Sequence, residues 1–213
     1  MDIGLTGYRY SVYTRTARMA LDLAGLSYDY REANPFDHAD TLVQAHPMRR
    51  VPVLHLGDTT LYETAALLTW CDAHRGWQAP PLVQARAVQV GGIADAYAYW
   101  PLVRHVFSHG WFRPAFGADA QAGLVVQGLR DAAPVLDMLE TIAAEGLVLT
   151  PGTLTRADCH LAPMIDTFQM VPEAADMLAA RPNLSAWFAA LSETRIFRTT
   201  RPHWDALTTK EAP

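Results

Sequence analysis

Apolar and polar positions change rhythm once along this chain, near residue 80. Before that point short apolar runs alternate with turn signals. Ile3 to Thr6 reads as one strand and Ser27 to Arg31 as another. Between them Ala17, Ala20, Leu21 and Ala24 recur at helical spacing, and Gly25 stands where a helix end favours a left-handed residue. A short helix is expected from Asp37 to Ala45, after Asn34-Pro35. Val53 to Leu56 is a β-prone run, Gly57-Asp58 a hairpin turn and Thr59 to Tyr62 the return strand. A helix should follow from Glu63 to about His74.

The order β-α-β-α-β-β-α is thioredoxin-like and places a first domain at residues 1–76. Gly76-Trp-Gln-Ala-Pro-Pro81 reads as a linker, since two successive prolines disfavour helix. Beyond it only the helical period remains. A long helix is expected from Val83 to His109, kinked at Pro101, and a second near Asp119 to Ala144 with Val125, Leu129, Ala132, Leu136 and Leu139 on one stripe. Leu161, Met164, Ile165 and Phe168 mark a third, and Leu184, Trp187, Phe188 and Leu191 a fourth. The expected fold is thus an α+β domain followed, over residues 83–213, by an all-α domain. Thr155 as N-cap with Asp158 at N3 predicts a capping box at the start of the third helix, with Leu154 stapling onto Cys159.

Composition removes several function classes. Half of the 213 residues are hydrophobic, ample for a buried core. The net charge of −5, pI near 5.9 and lack of a Lys/Arg block disfavour nucleic acid and anionic membrane as partners. No apolar run reaches the length of a membrane span. Met1-Asp-Ile-Gly-Leu lacks the features of a secretion signal, so a cytoplasmic location is expected. Cys71 and Cys159 are too few for a disulfide framework and read as core residues. The eight histidines show no metal-ligand spacing and the glycines no phosphate-binding pattern, so neither a metal nor a nucleotide cofactor is expected.

The chemistry concentrates around the hairpin. A helix N-terminus at Glu63-Thr64 presents unpaired N–H groups and partial positive charge, to which a Thr hydroxyl adds another hydrogen bond for a carboxylate. Arg50 can serve a second anionic group, or simply be solvated. Arg50-Val-Pro-Val-Leu followed by Leu61-Tyr-Glu-Thr-Ala-Ala resembles the glutathione-binding half of the cytosolic glutathione transferase family. Leu154-Thr-Arg-Ala-Asp158 and Arg181-Pro-Asn-Leu-x-x-Trp187 resemble its C-terminal half, so the likeness covers nearly the whole chain. The resemblance implies a cis Val51-Pro52 bond, with the Val51 backbone pairing to the cysteinyl unit of glutathione. It further implies that Thr64 takes the γ-glutamyl carboxylate, Glu63 the ammonium and Arg50 the glycyl carboxylate. Met48-Arg49, where that family has an aromatic residue and Gly, is a departure.

Such enzymes hold the glutathione thiol as a thiolate. By resemblance to the Ser-type, bacterial-like members, Ser11 donates the stabilising hydrogen bond, although Val12 departs from the usual following residue. Tyr8, as in the Tyr-type classes, is the rival, and Tyr13 is a third hydroxyl that also counts with the acceptor pocket. The absence of Cys from that loop argues against thiol–disulfide exchange. The aromatic stretch Asp95 to Phe112 suits an apolar pocket for an electrophile, with Trp100, Arg104 and Phe107 at i, i+4 and i+7. The leading expectation is a homodimeric enzyme that conjugates glutathione to a hydrophobic electrophile or isomerises one through it. The alternative is a non-catalytic binding or regulatory protein of the same fold.

Overall fold

The computed structural model describes residues 2–37 and 45–204. The short helix expected from Asp37 to Ala45 lies, apart from its end residues, outside them. The chain forms two compact units. One takes the chain up to Ala79 together with Arg195–Arg201, and the other runs Pro80–Thr194 and resumes at Pro202.

The first unit is built on strands β1 (Ile3–Gly7), β2 (Asp29–Glu32), β3 (Val53–Leu56) and β4 (Thr59–Leu61), in the order β2-β1-β3-β4. β1 runs parallel to β2, with Gly7 opposite Glu32. β3 is antiparallel to β1, with Thr6 opposite Val53, and β4 is antiparallel to β3, with Leu54 opposite Leu61. The end of β1, the end of β2, the start of β3 and the end of β4 therefore meet at one rim of the sheet. Leu5, Val53 and Leu54 on the two central strands are wholly buried, and since Val53 and Leu54 are neighbours that face opposite sides, both faces of the sheet are covered here.

Helix α1 (Val12–Leu23) buries Ala17, Met19, Ala20 and Leu21. It ends as its sequence predicts, with Gly25 at φ 70° and the Leu26 N–H reaching back to the Leu21 carbonyl at 3.0 Å. Helix α2 (Thr64–His74) packs on α1 through Leu67, Leu68 and Cys71. The segment 195–201, which the sequence reading counts with the helical half, also packs on α1. Arg15, almost fully buried, donates to the Phe197 carbonyl at 3.2 Å and lies 4.3 Å from the centre of the Phe197 ring.

The second unit is helical. Helix α3 (Pro81–Ile93) starts with Pro at its first position, where a missing N–H costs nothing. It continues through Ala94–Phe112 in wider, π-type turns and ends in one α-turn, Arg113–Ala115. Pro101 lies inside the widened stretch, where its missing N–H and ring bulk are accommodated by a register that no longer follows the α-helical bond pattern. Helix α4 (Ala122–Ala144) crosses that stretch at Gly128, where a Cβ would come within 2.9 Å of the Pro101 carbonyl. Leu102, Val106, Leu136, Leu139, Leu161 and Ile165 form the dry core.

Helices α5 (Arg156–Phe168), α6 (Pro172–Ala179) and α7 (Pro182–Ser192) complete this unit. The capping box at Thr155 is present and extends further than the sequence indicates. Asp158 Oδ2 accepts from the Thr155 N–H at 2.7 Å and from the Thr155 hydroxyl at 2.8 Å, while Oδ1 accepts from Trp187 Nε1–H at 2.6 Å. Burial pushes the Asp158 carboxyl up from its ordinary range, against the pull of these hydrogen bonds, which favour the charged form. One carboxylate thus joins the start of α5 to α7.

Candidate functional site

The rim of the first unit gathers most of the residues singled out in the sequence. The register places Tyr8 and Ser11, just after β1, Val51 and Pro52, just before β3, and Glu63 and Thr64, just after β4, at the same end of the sheet. Tyr13 lies half-buried in the first turn of α1.

The Val51-Pro52 peptide is cis. Pro52 is buried and Val51 half-buried, while Arg50 projects into solvent and among the described residues has no ion-pair partner. Arg49 sits at φ 53°, the left-handed region that glycine enters without cost, so the departure noted at this position changes the residue and keeps the backbone shape suited to Gly. Its guanidinium donates to the Asp37 carbonyl at 3.3 Å.

Glu63 is the second non-glycine residue held at positive φ in this corner, at 69° with ψ 119°. It precedes α2 as its N-cap, yet its side chain makes no capping hydrogen bond and its carboxylate is 77% exposed. The Glu63 side chain therefore leaves the helix start uncapped, with Thr64 half-buried beside it. An N-cap usually turns its side chain back onto the helix; this one faces away.

Ser11 is the N-cap of α1, and its Oγ accepts from the Thr14 N–H at 3.3 Å. That bond uses a lone pair and leaves the hydroxyl proton available, so capping and donation to an external anion are compatible. The positive end of α1 adds to the field at Oγ. Tyr8 is held by its backbone N–H, which donates to Thr14 Oγ1 at 3.1 Å, and its ring meets Tyr10 and Phe36 edge-on at 5.4 and 6.2 Å. Burial, with the nearby Tyr10 and Glu32, pushes its phenol up to about 12. Tyr8 is a permanent hydroxyl donor at neutral pH and not a base.

Two features of this rim were not read from the sequence. Glu32 gathers the Arg9 N–H and guanidinium, both at 3.1 Å, and the Tyr30 hydroxyl at 2.8 Å, fixing the loop between β1 and α1. The only sequence signal was the period-2 spacing of Tyr30 and Glu32. The other is His46, almost fully buried, with Nε2 lying 3.9 Å from Glu63 Oε1. Its place directly before Pro47 and three residues ahead of Arg49 was the available sign.

In the second unit the expected aromatic stripe divides. Trp100 is 58% exposed, with the Arg104 guanidinium 6.0 Å from its ring centre. Phe107 is buried, stacked on Trp111 at 5.8 Å and edge-on to Trp204 at 5.7 Å. The i, i+4, i+7 rule assumes 3.6 residues per turn, and over π-type turns a residue seven further on no longer shares the face. Asp95, in the first of these turns, accepts a 2.9 Å contact from the buried His160.

Comparison with known proteins agrees with this geometry. Residues 5–80 match the family model described as glutathione S-transferase, N-terminal domain, and residues 103–194 the one described as glutathione S-transferase, C-terminal domain. Glutathione S-transferase F13 of Arabidopsis thaliana is 25% identical over 169 residues, 76% of each chain. Glutathione S-transferase 4 of Zea mays is 27% identical over 198 residues, 87% of this chain and 86% of that one. The solved structure of glutathione S-transferase I from mais in complex with an atrazine glutathione conjugate superposes with a TM-score of 0.77 at 19% identity, covering both chains completely. Two domain models in the right order, a cis Val-Pro ahead of β3 and an open helix start after β4 lead to one assignment: the chain belongs to the glutathione S-transferase family.

Proposed function

We propose that this chain binds glutathione at the rim of its first unit, with residues 1–76 as the glutathione-binding module and residues 83–213 as the module that receives the acceptor. The observation that carries the reading is the convergence of the cis Val51-Pro52 bond, the outward-facing Glu63 and the open N-terminus of α2. Thr64 with its N–H takes the γ-glutamyl carboxylate and Glu63 the ammonium. The Val51 backbone pairs with the cysteinyl unit, and Arg50 takes the glycyl carboxylate. Ser11 donates to the sulfur at the positive end of α1, which lowers the thiol pKa and keeps the nucleophile charged. Tyr8, with its high phenol pKa, provides a hydroxyl and aromatic surface in the same loop.

The enzyme is a glutathione S-transferase, and its second substrate on this reading is a hydrophobic electrophile. The aromatic surface of Trp100 and the Arg104 cation supply the acceptor contacts, with Phe107 supporting them from the core. Detoxification of such compounds in the cytoplasm, as a homodimer, completes the proposal. Leu82, Val88 and Tyr97, all more than half exposed along α3 and its continuation, support a dimer interface there. Calorimetric titration with glutathione, followed by turnover against aryl halides, enones and isomerisable substrates, tests the reading. Saturable binding and turnover of at least one electrophile are expected. No glutathione binding overturns the site, and binding without turnover returns the chain to the non-catalytic alternative. Light scattering at the 23.5 kDa monomer mass would reject the dimer.

A further inference from the structure

His46 is nearly buried, 3% exposed, although it lies in a loop, with one ring nitrogen hydrogen-bonded and the other approaching a carboxylate. Nδ1 accepts from the Met48 N–H at 2.9 Å, while the His46 carbonyl accepts from the Arg49 N–H, also at 2.9 Å. These two bonds close the turn that delivers Arg50, Val51 and Pro52 to the rim. An Nδ1 that accepts carries no proton, so the neutral ring holds its proton on Nε2. Nε2 faces the carboxylate of Glu63 at 3.9 Å. The Tyr62 ring lies 4.5 Å from the imidazole and tilted by 52°, which limits the ring's rotation. One side chain therefore spans the two sequence segments of the site, the turn before the cis peptide and the residue held at positive φ before α2.

We infer that His46 is a positioning residue for Glu63, and through it sets the preference of this site for a γ-glutamyl group that carries a free ammonium. The inference rests on the glutathione reading above. Glu63 makes no capping bond, so nothing on its own helix fixes its carboxylate. The Nε2–H dipole draws Oε1 inward and leaves Oε2 turned to the ligand. Without it the exposed carboxylate samples several rotamers, and the ammonium must order it on binding.

The test uses the full chain and two ligands, glutathione and glutaryl-cysteinylglycine, the same tripeptide with hydrogen in place of the amine. His46→Asn is the informative variant. Its Oδ1 still accepts from the Met48 N–H, so the turn is kept, but no group reaches Glu63. Calorimetry should show glutathione affinity falling about fivefold, while affinity for the deaminated ligand changes by less than about twofold, and kcat at saturating glutathione should hold. In a Glu63→Gln background the same substitution should cost nothing more. Equal weakening of both ligands would show that His46 only shapes the turn, and no change in either affinity would show that it does not act on Glu63. Either result overturns the inference while leaving the glutathione site standing. A wild-type chain that binds neither ligand overturns the glutathione reading itself, and this inference with it.

Discussion

Two helix starts in this molecule treat their carboxylates in opposite ways. At Thr155 the N3 carboxylate of Asp158 is sealed from water and accepts three hydrogen bonds, two from the cap residue and one from Trp187. At Thr64 the carboxylate of Glu63 is mostly exposed, caps nothing and stands on a backbone that a non-glycine residue rarely adopts. The first arrangement satisfies every partner and contributes stability. The second leaves a carboxylate without a capping bond on a strained backbone, at some cost in stability, and strained positions of this kind cluster at ligand-binding sites.

The largest expected effect breaks the stabilising side of this contrast. Asp158→Ala leaves the buried Trp187 Nε1–H and the Thr155 N–H without acceptors, and should cost about 3 to 5 kcal/mol. Urea denaturation measures it; a loss below about 1 kcal/mol would mean that the network is not what joins α5 to α7. Next comes the binding side. Thr64→Ala with Arg50→Ala should weaken glutathione by about 2 to 5 kcal/mol if both contacts are charge-assisted. The melting temperature should scarcely move, since neither side chain is buried. Unchanged affinity in calorimetry would remove both residues from the site.

How much could be read beforehand follows the same division. The hairpin, α1 with its Gly25 stop and the box at Thr155 were legible because each depends on neighbours in sequence: a period, a turn pair, a cap at fixed spacing. The tie from Asp158 to Trp187 spans 29 residues and could not be read from spacing. The same holds for His46 and Glu63, which meet only because β3 and β4 fold back between them. The short helices α6 and Arg195–Thr200 lack a long stripe, and the second of these owes its place to a buried Arg15 that composition would assign to the surface. The stripe through Trp100, Arg104 and Phe107 divides for another reason, because the helix there leaves the 3.6-residue period.

A smaller effect is expected at Ser11, where capping and chemistry overlap. Ser11→Ala removes both the 3.3 Å cap bond and the proposed donor to sulfur, whereas Ser11→Gly keeps most of the helix stability, within a few tenths of a kcal/mol. Both should raise the bound thiol's pKa by about one unit, roughly 1.4 kcal/mol, and lower turnover at neutral pH about tenfold, with recovery at higher pH. Thiolate absorbance against pH measures this. With Ser11 as the donor, Tyr8→Phe should leave that titration unmoved, since the Tyr8 phenol, pushed up to about 12, does not itself titrate near neutrality. Its linkage to stability lies higher. The unfolded phenol ionises near 10, so stability is intact below that value and is lost as pH rises towards 12, and Tyr8→Phe should soften that alkaline loss. If Tyr8→Phe instead raises the thiol pKa and Ser11→Gly does not, Tyr8 is the donor and Ser11 only a cap.

The smallest effect tests the contrast most directly, because it should move stability and binding in opposite directions. Glu63 at φ 69° costs about 1 to 2 kcal/mol relative to an ordinary backbone, whereas glycine occupies that region without a Cβ penalty. Glycine also brings greater freedom to the unfolded chain, worth about 0.5 to 1 kcal/mol against folding. Glu63→Gly should therefore stabilise the protein by a net of up to about 1.5 kcal/mol. Glu63→Gln keeps the strain and should show no such gain. Both lose the carboxylate and should bind glutathione more weakly, while Asp158→Ala should lose stability without a change in glutathione affinity. Thermal melts and calorimetry on the three variants give the comparison. A destabilised Glu63→Gly would mean that the positive φ is not a cost carried for the ligand, and the distinction between the two helix starts would then lie in burial alone.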